Sequence, residues 1–540
     1  MKKTSKLTAA AALFFAAAGI FAEPTPGQKL FEKPGYAETR PEPSSRTELT
    51  AVFSGTEAEL DFRKSYLASE AQIFTALYEG LFSYNPLTLE PVPAAASSWR
   101  LSEDKKVWTF TIRANAKYWN GDPLEAEDFR AAWLDTLDPA KNSPYSSLYD
   151  IISGAREFRL GLTRNPAEVG INAPDSRTLV VTLNAPASFF PSMLCHHSFS
   201  PVHPSMANIE NWSAPVSNGP FFVSENGTGY LTLLKNRNYW DAGSVALEKI
   251  TIRFVDDDDE STAMWNSGEA RWLAGGVNLE TLTDRSGIVV NPMFATHYYY
   301  IRSEGPFSDH RVRRALVLAL PWDEIRENHF LPAKTLVYPI PGYPELKGVE
   351  TNVEEAQDLL AEAGFPKGIG LPELVIRITP AEEADRIGKL MAAAWMGKLG
   401  IPVKLDVVPY SRYFAALKGK DYNVGSSTWI GDFADPYTFL QMWRKDSNLN
   451  DSGYNDGDFE TLMEKSMTEE GDKRFEILGE AEQMLLDRGT VLPISYTPAL
   501  NIVDTDELDG WFPNALDIHP FKYFSFKAFK PLPGVAVVRE

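Results

Sequence analysis

The residues best suited to chemistry lie together at positions 426–436, in the run Ser-Ser-Thr-Trp-Ile-Gly-Asp-Phe-Ala-Asp-Pro. Small polar side chains precede the large aromatic Trp429, and Gly431 lets another backbone come close because it has no side chain. Two carboxylates follow, Asp432 and Asp435. A ligand that offers a backbone for pairing and a positive charge suits this stretch, so we expect two lobes of the protein to close on such a ligand here.

The length and charge of the chain narrow the class of protein. With 540 residues, two or three domains are expected rather than one. Charged residues make up 23% of the chain and aromatic residues 12%, which is typical of a globular protein. The formal net charge of −21 argues against binding to nucleic acid or to an anionic membrane surface, because both need a basic face.

The amino terminus has the pattern of a secretory signal peptide. Lysines at positions 2, 3 and 6 precede a short apolar run that ends near Ala22, so residues 1–22 are predicted to be removed. Residues 23–45 are rich in proline and charge and are predicted to form a flexible leader. No second apolar run is long enough to span a membrane, and the single cysteine, Cys195, is far from the signal and offers neither a disulfide nor a lipid anchor. We expect a periplasmic protein, with release outside the cell as the alternative.

Apolar periodicity predicts an alternation of helices and strands. Predicted strands cover 47–53, 107–113, 177–183, 229–235, 249–255, 374–378, 403–408 and 491–496, and predicted helices cover 71–82, 127–137, 353–363, 380–399 and 474–486. Thr379 and Glu382 fit a capping box at the start of the helix that Gly400 ends. The strand, helix and strand of 374–408 predict a βαβ unit with a parallel sheet.

Several motifs that could carry chemistry receive structural interpretations instead. The acidic run 256–260 is predicted to be a solvated turn, and 450–458 a loop, because neither has the ligand spacing of a calcium site. Cys195 and its two histidine neighbours are predicted to be structural or pocket-lining, and the basic cluster 311–314 a helix start with locally paired charges. Nucleophile, metalloprotease, phosphate-loop and dinucleotide motifs are all missing, so we predict neither an enzyme nor a cofactor or metal site.

Several stretches together resemble one family, the extracytoplasmic solute-binding proteins of peptide-uptake ABC transporters, and the oligopeptide binders most of all. These stretches follow the family's order along the chain: 77–81 (LYEGL), 108–113, 119–123 (WNGDP), 126–129, 138–139, 143–145, 216–219, 237–240, 267–269, 306–307, 311–316, 360–364 (LAEAG) and 426–436. The resemblance implies an α/β, type II periplasmic-binding-protein fold with the ligand between two lobes. The implied first lobe comprises 46–84, 200–300 and 505–540 with an extra domain at 85–199, and the second lobe comprises 301–504.

The resemblance also implies roles for individual residues. Asp432 falls on the aspartate that holds the ammonium of a bound peptide, and Thr428, Trp429 and Ile430 on the segment that pairs with the peptide backbone. Gly431, between them, is also expected to contact the ligand. The segment from Tyr66 to Ala68 is the opposing segment of the first lobe. Tyr145, Tyr410 and Tyr496 fall on or near positions that line the side-chain pockets. Ser426 stands where an oligopeptide binder carries an arginine for the ligand's carboxylate. Three alternatives follow: Arg386 substitutes, the ligand is longer and its carboxylate lies elsewhere, or the site takes another ligand.

The chemistry of the residues agrees with these implied roles. A peptide amino group has a pKa of about 8 and needs an anionic partner when it is buried. Strand addition binds a backbone without reading its side chains. The implied partners are a peptide and an inner-membrane ABC permease with its ATPase, and a monomer is expected. The alternatives are the same fold with a sugar, opine, nickel-chelate or haem ligand, an exported chaperone or host-interaction protein, and an exported hydrolase.

Overall fold

The computed structural model describes residues 45–327 and 329–527. The predicted signal peptide lies outside these residues, as do all but the last residue of the predicted leader and positions 528–540. Within the described residues, no helix combines the length and the apolar composition that a membrane crossing requires.

The described chain alternates strands and helices. The strands are β1 Glu48–Phe53, β2 Phe82–Tyr84, β3 Pro91–Pro93, β4 Ala96–Leu101, β5 Val107–Ile112, β6 Ile171–Asp175, β7 Thr178–Thr182, β8 Phe221–Gly227, β9 Tyr230–Lys235, β10 Lys249–Phe254, β11 Trp272–Ala274, β12 Ile288–Ile301, β13 Leu374–Ile378, β14 Val403–Val407, β15 Val424–Ile430, β16 Val491–Val503, β17 Leu508–Asp509 and β18 Ser525–Phe526. The helices are α1 Ala68–Leu77, α2 Ala126–Leu137, α3 Ala155–Arg159, α4 Phe190–Met193, α5 Asp258–Asn266, α6 His310–Leu318, α7 Trp322–Arg326, α8 Val353–Glu362, α9 Glu382–Leu399, α10 Tyr410–Leu417, α11 Tyr437–Leu440, α12 Gly457–Ser466 and α13 Gly471–Asp487.

Two lobes share one large sheet of ten strands in the order β14-β13-β15-β12-β16-β11-β1-β10-β9-β8. The first lobe is built on β8–β11 and β1, and the second on β13–β15. The long strands β12 and β16 pair antiparallel between them and continue into both lobes. Their register shifts between Pro292 and Thr296, so the ladder is irregular where the chain passes from one lobe to the other.

A separate sheet of four antiparallel strands, in the order β4-β5-β7-β6, forms an extra domain in the first lobe. β5 alternates between buried and half-buried residues, with Trp108, Phe110 and Ile112 facing the core. Helix α2 begins with a reciprocal capping box between Glu125 and Asp128. The arrangement confirms the predicted two-lobed α/β fold with an extra domain in one lobe.

The predicted βαβ unit is present, because β13 and β14 pair in parallel on either side of α9 in the sequence. The predicted start of α9 is wrong. The N-cap is Ala381, no side chain caps the helix, and the box on Thr379 does not form. The end is right, since Gly400 adopts the left-handed conformation that terminates the helix.

Helix α1 differs from its prediction at both ends, beginning at Ala68 and stopping at Leu77 rather than running to 82. The stop comes from a distant turn. Gly219 donates its N–H to the Leu77 carbonyl at 2.8 Å, and the Asn218 side chain accepts the N–H of Glu79 at 3.1 Å. A Cβ at Gly219 would lie 2.5 Å from the Leu77 carbonyl carbon, so this approach requires glycine.

Two of the charged clusters begin helices. The acidic run 256–260, predicted as a turn, instead contains the start of α5, because the Asp257 side chain accepts the N–H groups of Asp259 and Glu260. The basic cluster starts α6 as predicted, with Arg311 paired to the N-cap residue Asp309 at 2.6 Å.

Candidate functional site

The edge of β15 is open where it faces the space between the lobes. One side of the strand pairs with β12 from Val424 to Ile430, while on the other side β13 pairs with it only at Val424. Gly431 donates its N–H to Phe294 in β12 at 2.8 Å, and strand residues alternate, so the backbone groups of Thr428 and Ile430 face the open side. Part of the predicted pairing segment is therefore available for strand addition.

A cavity lies beside this edge and has walls from both lobes. Its lining residues are Tyr66, Leu67, Ala68, Ala71, Phe74, Thr75, Tyr78, Glu79, Gly80, Phe82, Ser83, Tyr84, Tyr145, Cys195, His196, His197, Ser200, Thr428, Trp429, Ile430, Gly431, Asp432, Leu516, Ile518, Pro520 and Lys522. The volume of the cavity is about 140 Å³. The indole N–H of Trp429 and Nε2 of His197 are buried without a hydrogen-bond partner among the described residues, so the wall offers unused polar atoms.

Asp432 is the carboxylate that stands at the end of the open edge. Its side chain is only 7% exposed. Oδ1 accepts a hydrogen bond from the Tyr145 hydroxyl at 3.2 Å, and Oδ2 accepts one from the Thr438 hydroxyl at 2.9 Å. The main-chain carbonyl of Asp432 accepts the Tyr84 hydroxyl at 2.9 Å. Tyr84 and Tyr145 belong to the first lobe, so the lobes meet at this residue.

The Tyr145 hydroxyl is held as a neutral donor beside Asp432. Burial, followed by the Asp432 carboxylate, raises the pKa of Tyr145 well above its ordinary value, so its hydroxyl keeps its proton. Nε2 of His196 lies 3.4 Å from Oδ1 of Asp432. Nδ1 of His196 accepts the N–H of Ser198, so Nε2 is the ring nitrogen that lies toward the carboxylate. A buried carboxylate ringed by neutral donors suits a cationic group.

A second charged pair lies in the wall formed by the first lobe. Lys522 Nζ is 3.2 Å from Oε2 of Glu79, and Trp240 donates its indole N–H to Oε1 at 2.5 Å. Burial acts to lower the pKa of Lys522, but Glu79, together with Tyr523 and Asp241, outweighs it and the net shift is upward, so the ammonium of Lys522 keeps its proton. Both charged groups therefore already have partners within the protein. The pair joins the segment just after α1, which contains Glu79, to the carboxyl-terminal segment, which contains Lys522.

The structure brings most of the predicted site residues to one cavity. Asp432, the segment 428–431, Tyr145, and Tyr66 with Ala68 all line it. Sequence reasoning did not single out Tyr84, and it treated His196 only as structural or pocket-lining. Both are recognisable only once the lobes are packed together, because each approaches Asp432 from a distant part of the sequence.

Four predicted residues lie outside the cavity lining. Ser426 is buried behind Tyr413, and their hydroxyl oxygens are 2.9 Å apart. Arg386 pairs with Glu383 and donates to backbone carbonyls of α7. The Tyr496 hydroxyl lies 2.6 Å from that of Thr335. Tyr410 is 60% exposed on α10.

Beyond the cavity, a network of buried charges joins the extra domain to the second lobe. Arg159 binds Asp150 at 2.6 Å and reaches Asp446 of the second lobe at 3.1 Å. Arg444 lies 3.4 Å from Asp150 and 3.1 Å from Glu460. We call these five residues the interlobe ion network; it forms a contact between the lobes that does not involve the cavity.

Two lobes on a shared sheet, with a cavity between them and strands crossing at the junction, define a two-lobed solute-binding protein. The chain belongs to the bacterial extracellular solute-binding proteins, family 5, whose middle-region model matches residues 90–451. It is similar to the oligopeptide-binding protein OppA of Bacillus subtilis, with 31% identity over 447 residues that cover 78% of this chain and 82% of that protein.

Solved structures agree in fold. A periplasmic oligopeptide-binding protein of Borrelia burgdorferi superposes with a TM-score of 0.80 at 25% identity, covering 89% of this chain and 100% of that one. The murein tripeptide binding protein MppA of Escherichia coli also gives 0.80 at 25% identity, covering 90% and 99%. The unliganded open form of MppA gives only 0.62 at 25% identity, covering 90% and 98%. The lobes described here are therefore not arranged as in that open form.

Proposed function

We propose that this protein captures peptides between its two lobes outside the cytoplasm and delivers them to an ABC permease of the inner membrane, whose ATPase supplies the energy. The observation that carries the proposal is the open edge of β15 ending at the buried carboxylate of Asp432. The edge offers hydrogen bonds to an extended backbone, and the carboxylate offers a partner for its amino terminus.

The order of these features along β15 fits a peptide better than the other solutes. A peptide amino group is mostly protonated at neutral pH and would be costly to bury without an anion. In the proposed complex it meets Asp432, while Thr428 and Ile430 pair with the first residues of the peptide. A sugar or a metal chelate has no backbone to use these two positions. The OppA relative of Bacillus subtilis, which is named an oligopeptide-binding protein, supports the same choice.

The walls of the cavity suit side chains of varied chemistry. Phe74, Tyr78 and Phe82 provide apolar surface, and a cavity of about 140 Å³ is well above the minimum of roughly 10–15 Å³ that one water needs. Waters can bridge polar side chains of the ligand to the wall. Affinity then comes mainly from the backbone and the amino terminus.

Capture works through closure of the lobes. The first lobe comprises 46–84, 200–300 and 505 onward with 85–199 as its extra domain, and the second lobe comprises 301–504. The register shift of β12 between Pro292 and Thr296 supports a hinge at that point. A ligand held by both lobes shifts the equilibrium toward the closed form in proportion to its preference for that form. The protein acts as a monomer without catalysis, exported by the signal at 1–22.

Analysis of the molecules that copurify with the protein tests the proposal. The purified protein is denatured and the released material is identified by mass spectrometry. A mixture of short peptides is the expected result. A single non-peptide compound, such as a sugar, a chelated metal or haem, would overturn the proposal. Small-angle scattering with added peptide distinguishes a chaperone, which binds unfolded chains without closing its lobes.

A further inference from the structure

We propose that helix α10 forms an end wall that limits the bound peptide to about four residues, with Tyr413 ending strand pairing and Phe414 closing the cleft. The inference rests on the proposed peptide-binding function. It assigns a ligand length and the residues that set it.

Tyr413 takes the position on β15 that a longer ligand would need. Its hydroxyl accepts the N–H of Ser426 at 3.0 Å and donates to the Ser426 carbonyl, 3.1 Å away. Ser426 faces the same open side as Thr428 and Ile430, because alternate residues of a strand share a side. Tyr413 is 2% exposed. It therefore uses both backbone groups of the next pairing position, and strand addition ends at Thr428.

Phe414 closes the space in front of that position. Its ring lies 6.4 Å from the ring of Tyr66, which lines the cavity from the first lobe, and 5.8 Å from the ring of Tyr410. Lys418 Nζ lies 5.6 Å from the Tyr66 ring and pairs with Asp451 at 2.8 Å. The contact between α10 and Tyr66 crosses from one lobe to the other, so it forms when the lobes close.

The length of the open edge gives the size of the ligand. Asp432 and Thr428 are separated by four residue steps in the sequence, which span about 13 Å at roughly 3.3 Å per extended residue. A peptide with its amino group at Asp432 and its paired backbone ending at Thr428 therefore has about four residues. Further residues meet Phe414 and Tyr66 and oppose closure.

Binding of alanine peptides of increasing length to the full mature protein tests the wall, with calorimetry for affinity and small-angle scattering for closure. We expect affinity to rise to the tetrapeptide and to fall about tenfold for the hexapeptide, which leaves the lobes less closed. In Phe414→Ala the hexapeptide is expected to bind within about threefold of the tetrapeptide. In the double variant Tyr413→Ala with Phe414→Ala, loss of both rings uncovers the backbone of Ser426 and the hexapeptide gains further.

The controls separate the possible failures. Phe475→Ala removes a half-buried ring of the second lobe that packs on Tyr343, outside the cavity, and should leave the length profile unchanged. Tyr66→Ala opens the wall from the opposite lobe. It replaces the α10 variants in the test if those variants do not fold. Equal affinity for tetrapeptide and hexapeptide in the unaltered protein would overturn the inference of an end wall. An unchanged ratio of these two affinities in both α10 variants would do the same. Neither result would overturn the proposed peptide-binding function. Failure of every peptide to bind overturns the proposed function and this inference with it.

Discussion

Replacing Asp432 with asparagine tests the centre of the proposed site. The side chain keeps its shape and loses its charge. The carboxylate accepts from Tyr145 and Thr438; asparagine puts an NH2 group in place of one of the two oxygens, so only the hydroxyl that faces this group has to rotate and accept from it. The cost to folding is therefore about 1 kcal/mol, the size of one altered hydrogen bond.

The cost to binding is much larger. The side chain at 432 is 7% exposed, so the ammonium of a bound peptide would be buried opposite a neutral amide. Removing one partner of a buried ion pair costs about 3–5 kcal/mol. At 1.4 kcal/mol for each factor of ten, Asp432→Asn should weaken a free tetrapeptide by about 100- to 4000-fold. The same peptide with an acetylated amino group should bind both proteins weakly and almost equally.

Isothermal titration of the free and acetylated peptides against both proteins gives a double-mutant cycle for the ammonium and the carboxylate. Asp472→Asn is the matched control, because it removes the same charge from an exposed position in the first turn of α13. A coupling energy near zero, or a loss of less than about threefold for the free peptide, would refute the role given to Asp432.

Three further predictions concern neighbouring structure. Asp435→Asn breaks a buried bidentate ion pair with Arg474, whose two hydrogen bonds are 2.7 and 3.0 Å long. Chemical denaturation should show a free energy of unfolding lower by about 3–5 kcal/mol. The affinity of the folded protein for peptide should be unchanged. Gly431→Ala places a Cβ 2.4 Å from the Phe294 ring, so calorimetry should show a loss of peptide affinity of about tenfold. Burial raises the pKa of Glu482 to about 7, so the free energy of unfolding should fall by about 3 kcal/mol as the pH rises from 4.5 to 7, and Glu482→Gln should remove that slope.

The sign of the Glu482 effect follows from proton binding. The folded carboxyl keeps its proton up to about pH 7, whereas the unfolded one releases it near 4.5, so the stabilisation is complete below 4.5 and is lost through 7. A flat difference between the two proteins across this range contradicts the argument. For Gly431→Ala the control is Gly457→Ala, because a Cβ there meets nothing within 4 Å, and equal losses in both variants refute the steric explanation.

Elements whose ends depend on local pattern could be predicted from the sequence. The strand Leu374–Ile378 was predicted with its observed bounds, since alternating apolar residues need only a buried face. The end of α1 was missed because Gly219, far along the chain, pairs with its last carbonyl. β16 was predicted to end at 496 but runs to Val503, and its continuation through Pro498 does not read as a strand.

In the candidate site, too, some features could be predicted from the local sequence and others depend on contacts between distant residues. The local run 426–436 predicted a ligand with a backbone to pair and a positive charge, and the family resemblance singled out Asp432 within it. The donors that reach Asp432 from Tyr84 and Tyr145 depend on how two lobes pack, which no local pattern encodes. Ser426 stands where the resemblance implies an arginine, but the contact between its hydroxyl and that of Tyr413 depends on the packing of α10 and could not be predicted from the local run.

The interlobe ion network bears on how affinity can change in this protein. Arg159 and Arg444 hold Asp150 and Asp446 together across the lobes without lining the cavity. Substitutions there alter the free energy of the closed form and leave every ligand contact in place. Retention time for a captured solute and chemical selectivity for it are thus set by different residues, so one can drift in evolution while the other is preserved.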